Sequence, residues 1–183
     1  MTTIVAVQYD DKVVIGADSR VTSPNGRKAA HSQMLKFSTR SPYIIAGSGE
    51  CSPCDIAQHI WQPPIPKAID LKDTYHFIVS KVVPSLKVCF KENEYKWDTE
   101  DDEVKFAFLI AVGGQVFEIA DDMSVCLDGK GFYGIGSGSD YAIGALASGV
   151  DIKQALRVAA EYDAYTAPPF HFTTQHKKAE VKK

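Results

Sequence analysis

The residue that concentrates most chemistry in fewest atoms is Thr2, directly behind Met1. A threonine side chain is small enough for the initiator methionine to be trimmed ahead of it. Once exposed, this one residue offers a hydroxyl nucleophile and an α-amine. That amine, with an ordinary pKa of about 7.7–8.0, can accept the hydroxyl proton near neutral pH. Many chains open Met-Thr, so the residues that follow must decide. A second candidate, Cys51-Ser52-Pro53-Cys54, has redox or zinc spacing. No second Cys pair or paired His follows at metal-site distance, and small residues at a helix start are the simpler reading.

The elements that must position these groups are legible in outline. Ile4 to Tyr9 alternates and is β-branched, Asp10-Asp11-Lys12 is a turn, and residues 13–17 form a second strand. Ser23-Pro24-Asn25-Gly26 is loop chemistry. Short strands are predicted near 34–37 and 43–46. A helix is predicted over 51–61, capped by Ser52 with Pro53 at its first position, and ended by Gln62-Pro63-Pro64. A second helix over 72–90 carries Tyr75, Ile78, Val79 and Val82 on one face, with Pro84 kinking or splitting it. Strands at 105–112, 116–120 and 132–135 follow, the first two joined by Gly113-Gly114. Helices over 140–148 and 152–162, the latter capped by Asp151, precede a last strand at 170–174. Two sheets with helices outside them bury this set most economically.

Length and composition agree with one domain over 1–176 and a basic tail over 177–183. The 183 residues are 45% hydrophobic and 23% charged, enough for a substantial core. A net charge of −3 gives no basic surplus for nucleic acid. The acids between Glu92 and Glu103 and the lysines 177, 178, 182 and 183 read as a solvated loop and a frayed end. No secretory leader and no apolar run of bilayer length is apparent, so a cytoplasmic location with reduced thiols, away from membranes, is expected.

The run TTIVAVQYDDKVVIGADSRVT, from Thr2 to Thr22, resembles the start of mature proteasome β-subunits and of their bacterial relative HslV. That resemblance implies an α+β fold, the four-layer α/β/β/α sandwich of N-terminal-nucleophile hydrolases, and a threonine-type endopeptidase. Asp18, Ser19 and Arg20 match the family's Asp-Ser-Arg segment, which makes Asp18 the first partner of Thr2 and Arg20 a residue shaping the pocket. Ile44 to Gly49 is similar to the strand and turn before the family's first long helix, with Gly49 as oxyanion donor. Gly136-Ser137-Gly138 resembles the family's Gly-Ser-Gly turn, which sets Ser137 near the Thr2 amine. Asp163-Ala164-Tyr165-Thr166 resembles the Asp-x-x-Ser/Thr segment, adding Asp163 and Thr166 as polar partners. By the same likeness, backbone oxygens of Ala160, Asp163 and Thr166 are the expected place for a structural sodium ion. No cofactor is expected for the chemistry itself.

The family's lysine, at the head of the strand after the Asp-Ser-Arg loop, falls best on Gln33 in this sequence, or on Met34 if the gap shifts. Lys36 fits only after a three-residue slip, which would turn a strand over, and Lys28 lies in the preceding loop. The resemblance further implies stacked homo-oligomeric rings enclosing protein or peptide substrates, fed by an AAA+ unfoldase, with helices 51–61 and 72–90 as ring contacts. With glutamine at the lysine position, the alternative is a weak or silent proteasome-like ring or shell protein. A small-molecule amidohydrolase on the same fold is a third reading.

Overall fold

Alternation in the first strand sets the architecture. In β1 (Ile4–Gln8), Ile4 and Ala6 enter one hydrophobic core while Val5 and Val7 enter another. A strand apolar on both faces has to be covered on both. This computed structural model describes residues 2–22, 26, 28–29, 34–97 and 105–177. Met1, the loop residues Ser23, Pro24 and Asn25, Gln33, the acids at 98–103 and the lysines 178, 182 and 183 lie outside the described residues.

β2 (Lys12–Ala17) folds back on β1 with Ile4 opposite Ala17 and Gln8 opposite Val13. β10 (Phe132–Ile135) joins the other edge of β1, and β11 (His171–His176) joins β2, giving the order β10-β1-β2-β11. The second sheet is a meander of β5 (Phe37–Arg40), β6 (Tyr43–Gly49), β7 (Phe106–Val112), β8 (Gln115–Ala120) and β9 (Val125–Cys126). Between β2 and β5 the chain makes a short ribbon, β3 (Val21–Thr22) with β4 (Lys28–Ala29). β7 meets β8 through Gly113 and Gly114 at φ of +63° and +78°, the left-handed pair that a two-residue hairpin turn requires.

Three cores stack the layers. Leu109, Ala111 and Ile44 meet Ile4, Ala6 and Ile15 between the sheets. The opposite face of the second sheet, with Tyr43, Ile45, Phe106, Phe108 and Phe117, packs under a helical layer. That layer comprises α1 (Cys51–Asp55), continued by a wider π turn at Ile56–Ile60, then α2 (Thr74–Phe77) and α3 (Val83–Glu92), themselves joined by a π turn at Ile78–Val82. On the far side, α4 (Ser139–Ala147) and α5 (Ile152–Tyr162) cover Val5 and Val7 with Ala142, Leu146, Ala155, Leu156 and Ala159. The result is the expected four-layer α/β/β/α sandwich.

Several local expectations are corrected. Glu50, not Ser52, is the cap residue of α1, and its side chain makes no cap bond. Residues 74–92 do not break at Pro84. A proline has no N–H for the carbonyl four residues back, and the widened turn just ahead of it absorbs the mismatch. The predicted face of this helix divides, with Ile78 and Val82 fully buried and Tyr75 and Val79 exposed. The strand predicted near 34–37 begins instead at Phe37, because Met34 and Leu35 are half exposed and only Phe37 enters the core. Asp151 caps α5 as expected, accepting from the Gln154 N–H at 2.7 Å.

Candidate active site

The β1–β2 pairing brings the start of the chain to the end of β2. Asp18 donates its N–H to the Thr3 carbonyl at 3.0 Å, continuing the ladder one step past Ala17. Its carboxylate turns back and is saturated. Oδ1 accepts from Thr3 N at 2.9 Å and from Lys36 Nζ at 2.5 Å, while Oδ2 accepts from Arg20 N at 2.9 Å and Ala167 N at 3.2 Å. Four donors satisfy the oxygens of this fully buried side chain, which could not be buried unpaired without large cost. Asp18 is thereby held in one position and orients what surrounds it.

Lys36 is the cation of the site, and this corrects the assignment of Gln33 to that place. Gln33 lies outside the described residues. Lys36 stands immediately before β5, so the objection that a slip would reverse a strand face does not apply to it. The side chain is 9% exposed, and its carbonyl accepts the Gly47 N–H at 3.1 Å, which ties the residue to β6. Burial pushes the ammonium below the ordinary lysine range. The charge and hydrogen bond of Asp18 oppose that shift, as does the charge of Asp163, and Arg20 adds to it. Lys28 is exposed on β4.

A chain of hydroxyls runs on the other side of β1. Ser137 Oγ donates to Asp163 Oδ2 at 2.9 Å, and Thr166 Oγ1 donates to the same oxygen at 2.5 Å. Thr166 Oγ1 also lies 2.5 Å from Thr3 Oγ1. With its proton committed to Asp163, Thr166 must accept from Thr3. Ser137, Asp163 and Thr166 therefore do come together, but the threonine they address is Thr3, and Ser137 binds Asp163. Alternation accounts for this: Thr3 shares its face with Val5 and Val7, toward α4 and α5, whereas Thr2 shares its face with Ile4. Gly138 packs on this cluster so closely that a Cβ would fall on Thr3 Oγ1. Gly136, at φ +91°, lies against the Thr2 carbonyl, where a Cβ has no room.

Thr2 itself is 7% exposed and lines a cleft of about 480 Å³ with Arg20, Lys36, Gly49 and Tyr165. Arg20 Nη1 donates to the Ala164 carbonyl at 2.5 Å, bracing the cleft's edge against the segment that carries Asp163 and Thr166. Ser19 Oγ donates to the Pro169 carbonyl and so faces away from the chemistry. Gly49, at φ +105°, turns the chain from β6 into α1, and a Cβ there would collide with the Lys105 carbonyl. Cys51 is exposed and Cys54 partly buried, both on the cleft, and burial pushes the Cys54 thiol up to about 12. A neutral thiol is a poor metal ligand or nucleophile. Among the described residues no cluster of His, Cys, Asp and Glu is arranged to hold a metal ion, and no helix is long and apolar enough to cross a membrane.

Sequence reasoning did not place two residues of this cluster, Thr3 and Lys36. The Thr2-Thr3 doublet carried a signal for one of them, since adjacent strand residues face opposite layers and the second hydroxyl needs a partner of its own. For Lys36 the signal was the lysine followed by apolar Phe37, outweighed by the apolar Met34-Leu35 pair just before it. Those two side chains line the cleft.

Two sheets faced by helices, with a threonine at the start of β1 and a lysine–aspartate pair beside it, define the proteasome/HslV type of N-terminal-nucleophile hydrolase fold. Solved structures bear out that fold over nearly the whole chain. Thiobacillus denitrificans BPH in complex with epoxomicin matches with a TM-score of 0.73 and 20% identity, over 96% of this chain and 98% of that one. A second structure of Thiobacillus denitrificans BPH gives 0.69 and 22%, over 97% and 100%. Eukaryotic HslV from Trypanosoma brucei gives 0.62 and 20%, over 94% and 98%. No protein-family model and no curated protein matches the sequence.

Proposed function

We propose that this protein is a threonine-type peptidase that hydrolyses amide bonds with Thr2 as nucleophile once Met1 is removed. The observation that carries this reading is the buried Lys36–Asp18 pair on the cleft that Thr2 lines. In the first step the Thr2 hydroxyl proton passes to the α-amine as Oγ bonds to the scissile carbonyl carbon. The Lys36 charge favours both the alkoxide character of Oγ and the oxyanion that forms, and the Gly49 N–H is the candidate donor to that oxygen. The proton taken up by the Thr2 α-amine then goes to the leaving amine as the C–N bond breaks, Lys36 keeping its charge, and water cleaves the resulting ester to free Thr2. Asp18, saturated by its four donors, holds Lys36 and the Thr3 backbone in register. Lys36 beside Asp18 supports the enzyme over a silent ring protein, the reading that a missing lysine would favour.

The oligomeric part of the proposal rests on exposed apolar side chains of the outer helical layer. Ile60, Tyr75 and Val79 are each close to half exposed there, and a ring contact along residues 51–61 and 72–90 would cover them. Stacked homo-oligomeric rings would then enclose the clefts, with protein or peptide substrates supplied by an AAA+ unfoldase. A sodium ion would use the backbone oxygens of Ala160, Asp163 and Thr166. At Asp163 the carbonyl accepts the Thr166 N–H at 3.2 Å, one bond to an oxygen with two lone pairs, and the carboxylate accepts from two hydroxyls.

Hydrolysis of fluorogenic peptides by Met-free protein tests this function. Turnover by wild type and its loss in Thr2→Ala at unchanged assembly is the expected result. Equal turnover by Thr2→Ala places the nucleophile elsewhere, and light scattering that gives a single-chain mass at micromolar concentration removes the ring.

A further inference from the structure

The Cys51-Ser52-Pro53-Cys54 motif has no work in the reaction just described. Its cysteines are the first and fourth residues of α1, and both line the cleft with Thr2. Among the described residues no group of His, Cys, Asp and Glu is arranged to hold a metal ion, which leaves sulfur chemistry between the two thiols. In an α-helix, Cα atoms three residues apart are about 5 Å from each other, inside the roughly 4.4–6.8 Å that a disulfide spans. Pro53 between them locks one backbone angle near the helical value, so this spacing is set in advance.

The two thiols stand in different surroundings. Cys51 is exposed, so a dissolved oxidant reaches it. Cys54 packs on the outer core beside β6, where a Cβ on Gly47 would lie 2.9 Å from its Sγ. Burial, and next the charge of Cys51, push the Cys54 thiol up to about 12. Cys54 therefore stays protonated while Cys51 meets the oxidant, and the influence of the Cys51 charge ends once that sulfur becomes a neutral acid. The other cysteines are placed differently. Cys89 is buried on α3, and Cys126 is exposed on β9, which β7 and β8 separate from β6.

We propose that Cys51 and Cys54 are a redox-active dithiol that hydrogen peroxide closes to a disulfide on the wall of the substrate cleft. The Cys51 thiolate attacks one peroxide oxygen. An S–O bond forms as the O–O bond breaks, and the departing hydroxide takes up the thiol proton as water. The Cys54 sulfur then displaces oxygen from Cys51 Sγ, so that S–S replaces S–O, and the Cys54 proton leaves with that oxygen as a second water. The dithiol gives up two electrons and peroxide is reduced to water. Both sulfurs share one helical turn, so this second step is intramolecular and gains by proximity what Cys54 lacks in thiolate. Cβ atoms at this helical spacing are about 5–6 Å apart, whereas bridged ones lie roughly 3.5–4.5 Å apart. Closure draws the first turn of α1 in by about 1 Å, and only Glu50 separates that turn from Gly49, the candidate oxyanion donor. A misplacement of that size can cost on the order of a hundredfold in rate. The disulfide stands on the placement of the two sulfurs, and its effect on turnover rests on the peptidase reading above.

The test treats mass-verified Met-free protein in its native assembly with hydrogen peroxide, blocks the remaining thiols with N-ethylmaleimide and digests with trypsin. Residues 41–67 carry both cysteines on one tryptic peptide. After peroxide that peptide should be lighter by two hydrogens and carry no maleimide, while Cys126 is alkylated. In Cys54→Ser, dimedone should trap a sulfenic acid on Cys51. Turnover of a fluorogenic peptide should fall by about tenfold or more on oxidation and return with dithiothreitol. In Cys51→Ser, peroxide should leave turnover at that variant's untreated level. A 41–67 peptide that still takes up two maleimides overturns the dithiol. A bridged peptide with unchanged turnover, or a loss that persists in Cys51→Ser, overturns its control of the cleft. Absence of turnover before oxidation overturns the peptidase reading, and the mass of the 41–67 peptide still decides the disulfide.

Discussion

Replacing Lys36 with methionine removes one charge and little volume. In the native site Lys36 Nζ lies 2.5 Å from Asp18 Oδ1, with the two side chains 9% and 0% exposed. Deleting a charge or donor aimed at a developing oxyanion in such a site costs about 2.7–4 kcal/mol of transition-state stabilisation, or on the order of 10²–10³ in rate. The stability cost should be smaller than the 3–5 kcal/mol typical of breaking a buried pair. Asp18 keeps three backbone donors, from Thr3, Arg20 and Ala167, so its carboxylate loses a counter-charge but not its solvation by N–H groups. A cost of about 1–3 kcal/mol is expected, which for a domain of this size lowers Tm by roughly 2–12 °C. The assay pairs peptide kcat/KM with calorimetry on Met-free wild type and Lys36→Met, and adds Gln33→Lys, which should change neither quantity. A Lys36→Met enzyme within threefold of wild type, or a Gln33→Lys enzyme that gains activity, refutes the assignment of the cation.

The same lysine ties activity to pH in a way that separates from stability. Its pKa is below the ordinary 10.5 because burial disfavours the charged form, so activity that needs the ammonium should fall on the alkaline side earlier than an exposed lysine would dictate. Between that lowered value and 10.5 the unfolded chain binds more protons than the folded one, so the contribution of Lys36 to stability rises with pH there. Stability profiles of wild type and Lys36→Met should diverge in that sense, and an activity limb unmoved by the substitution counts against the role. Gly136→Ala forces a Cβ onto the Thr2 carbonyl at a φ of +91°. It should abolish turnover and cost about 2–4 kcal/mol, and wild-type kinetics would contradict the packing described. Thr166→Val leaves the Thr3 hydroxyl without its acceptor and Asp163 with only Ser137. A loss of about 1–3 kcal/mol is expected in denaturant unfolding. Alkylation with iodoacetamide at neutral pH should label exposed Cys51 and spare Cys54, whose thiol is held up to about 12. Labelling of Cys54 first would show that this wall of the cleft is more open than described.

Where local pattern and tertiary packing agree, the sequence was readable. The ladder from Ile4 to Ala17, the Gly113-Gly114 turn and the Asp151-capped helix needed only alternation, a left-handed turn and a cap. The Asp18 segment and the Ser137, Asp163 and Thr166 cluster could be located, but not which threonine they serve. That depends on which layer each face of β1 meets, a fact of the sandwich and not of any short stretch. The reading failed at Lys36 because Met34 and Leu35 look like strand residues. Their apolar surface is instead turned to the cleft, where no periodicity announces it. Pro84 misled in the opposite direction, since a π turn can absorb a proline that an α-helix cannot.

The central claim is that Thr2, freed of Met1, is the nucleophile on this cleft, and a covalent label tests it most directly. Met-free protein, confirmed by intact mass, is incubated with epoxomicin, the compound bound in the Thiobacillus denitrificans BPH structure, then digested and sequenced by tandem mass spectrometry. One adduct per chain on the peptide that begins at Thr2, missing from Thr2→Ala and formed far more slowly by Lys36→Met, is the predicted result. An unlabelled N-terminal peptide, or an adduct on Cys51 across the cleft, would contradict it.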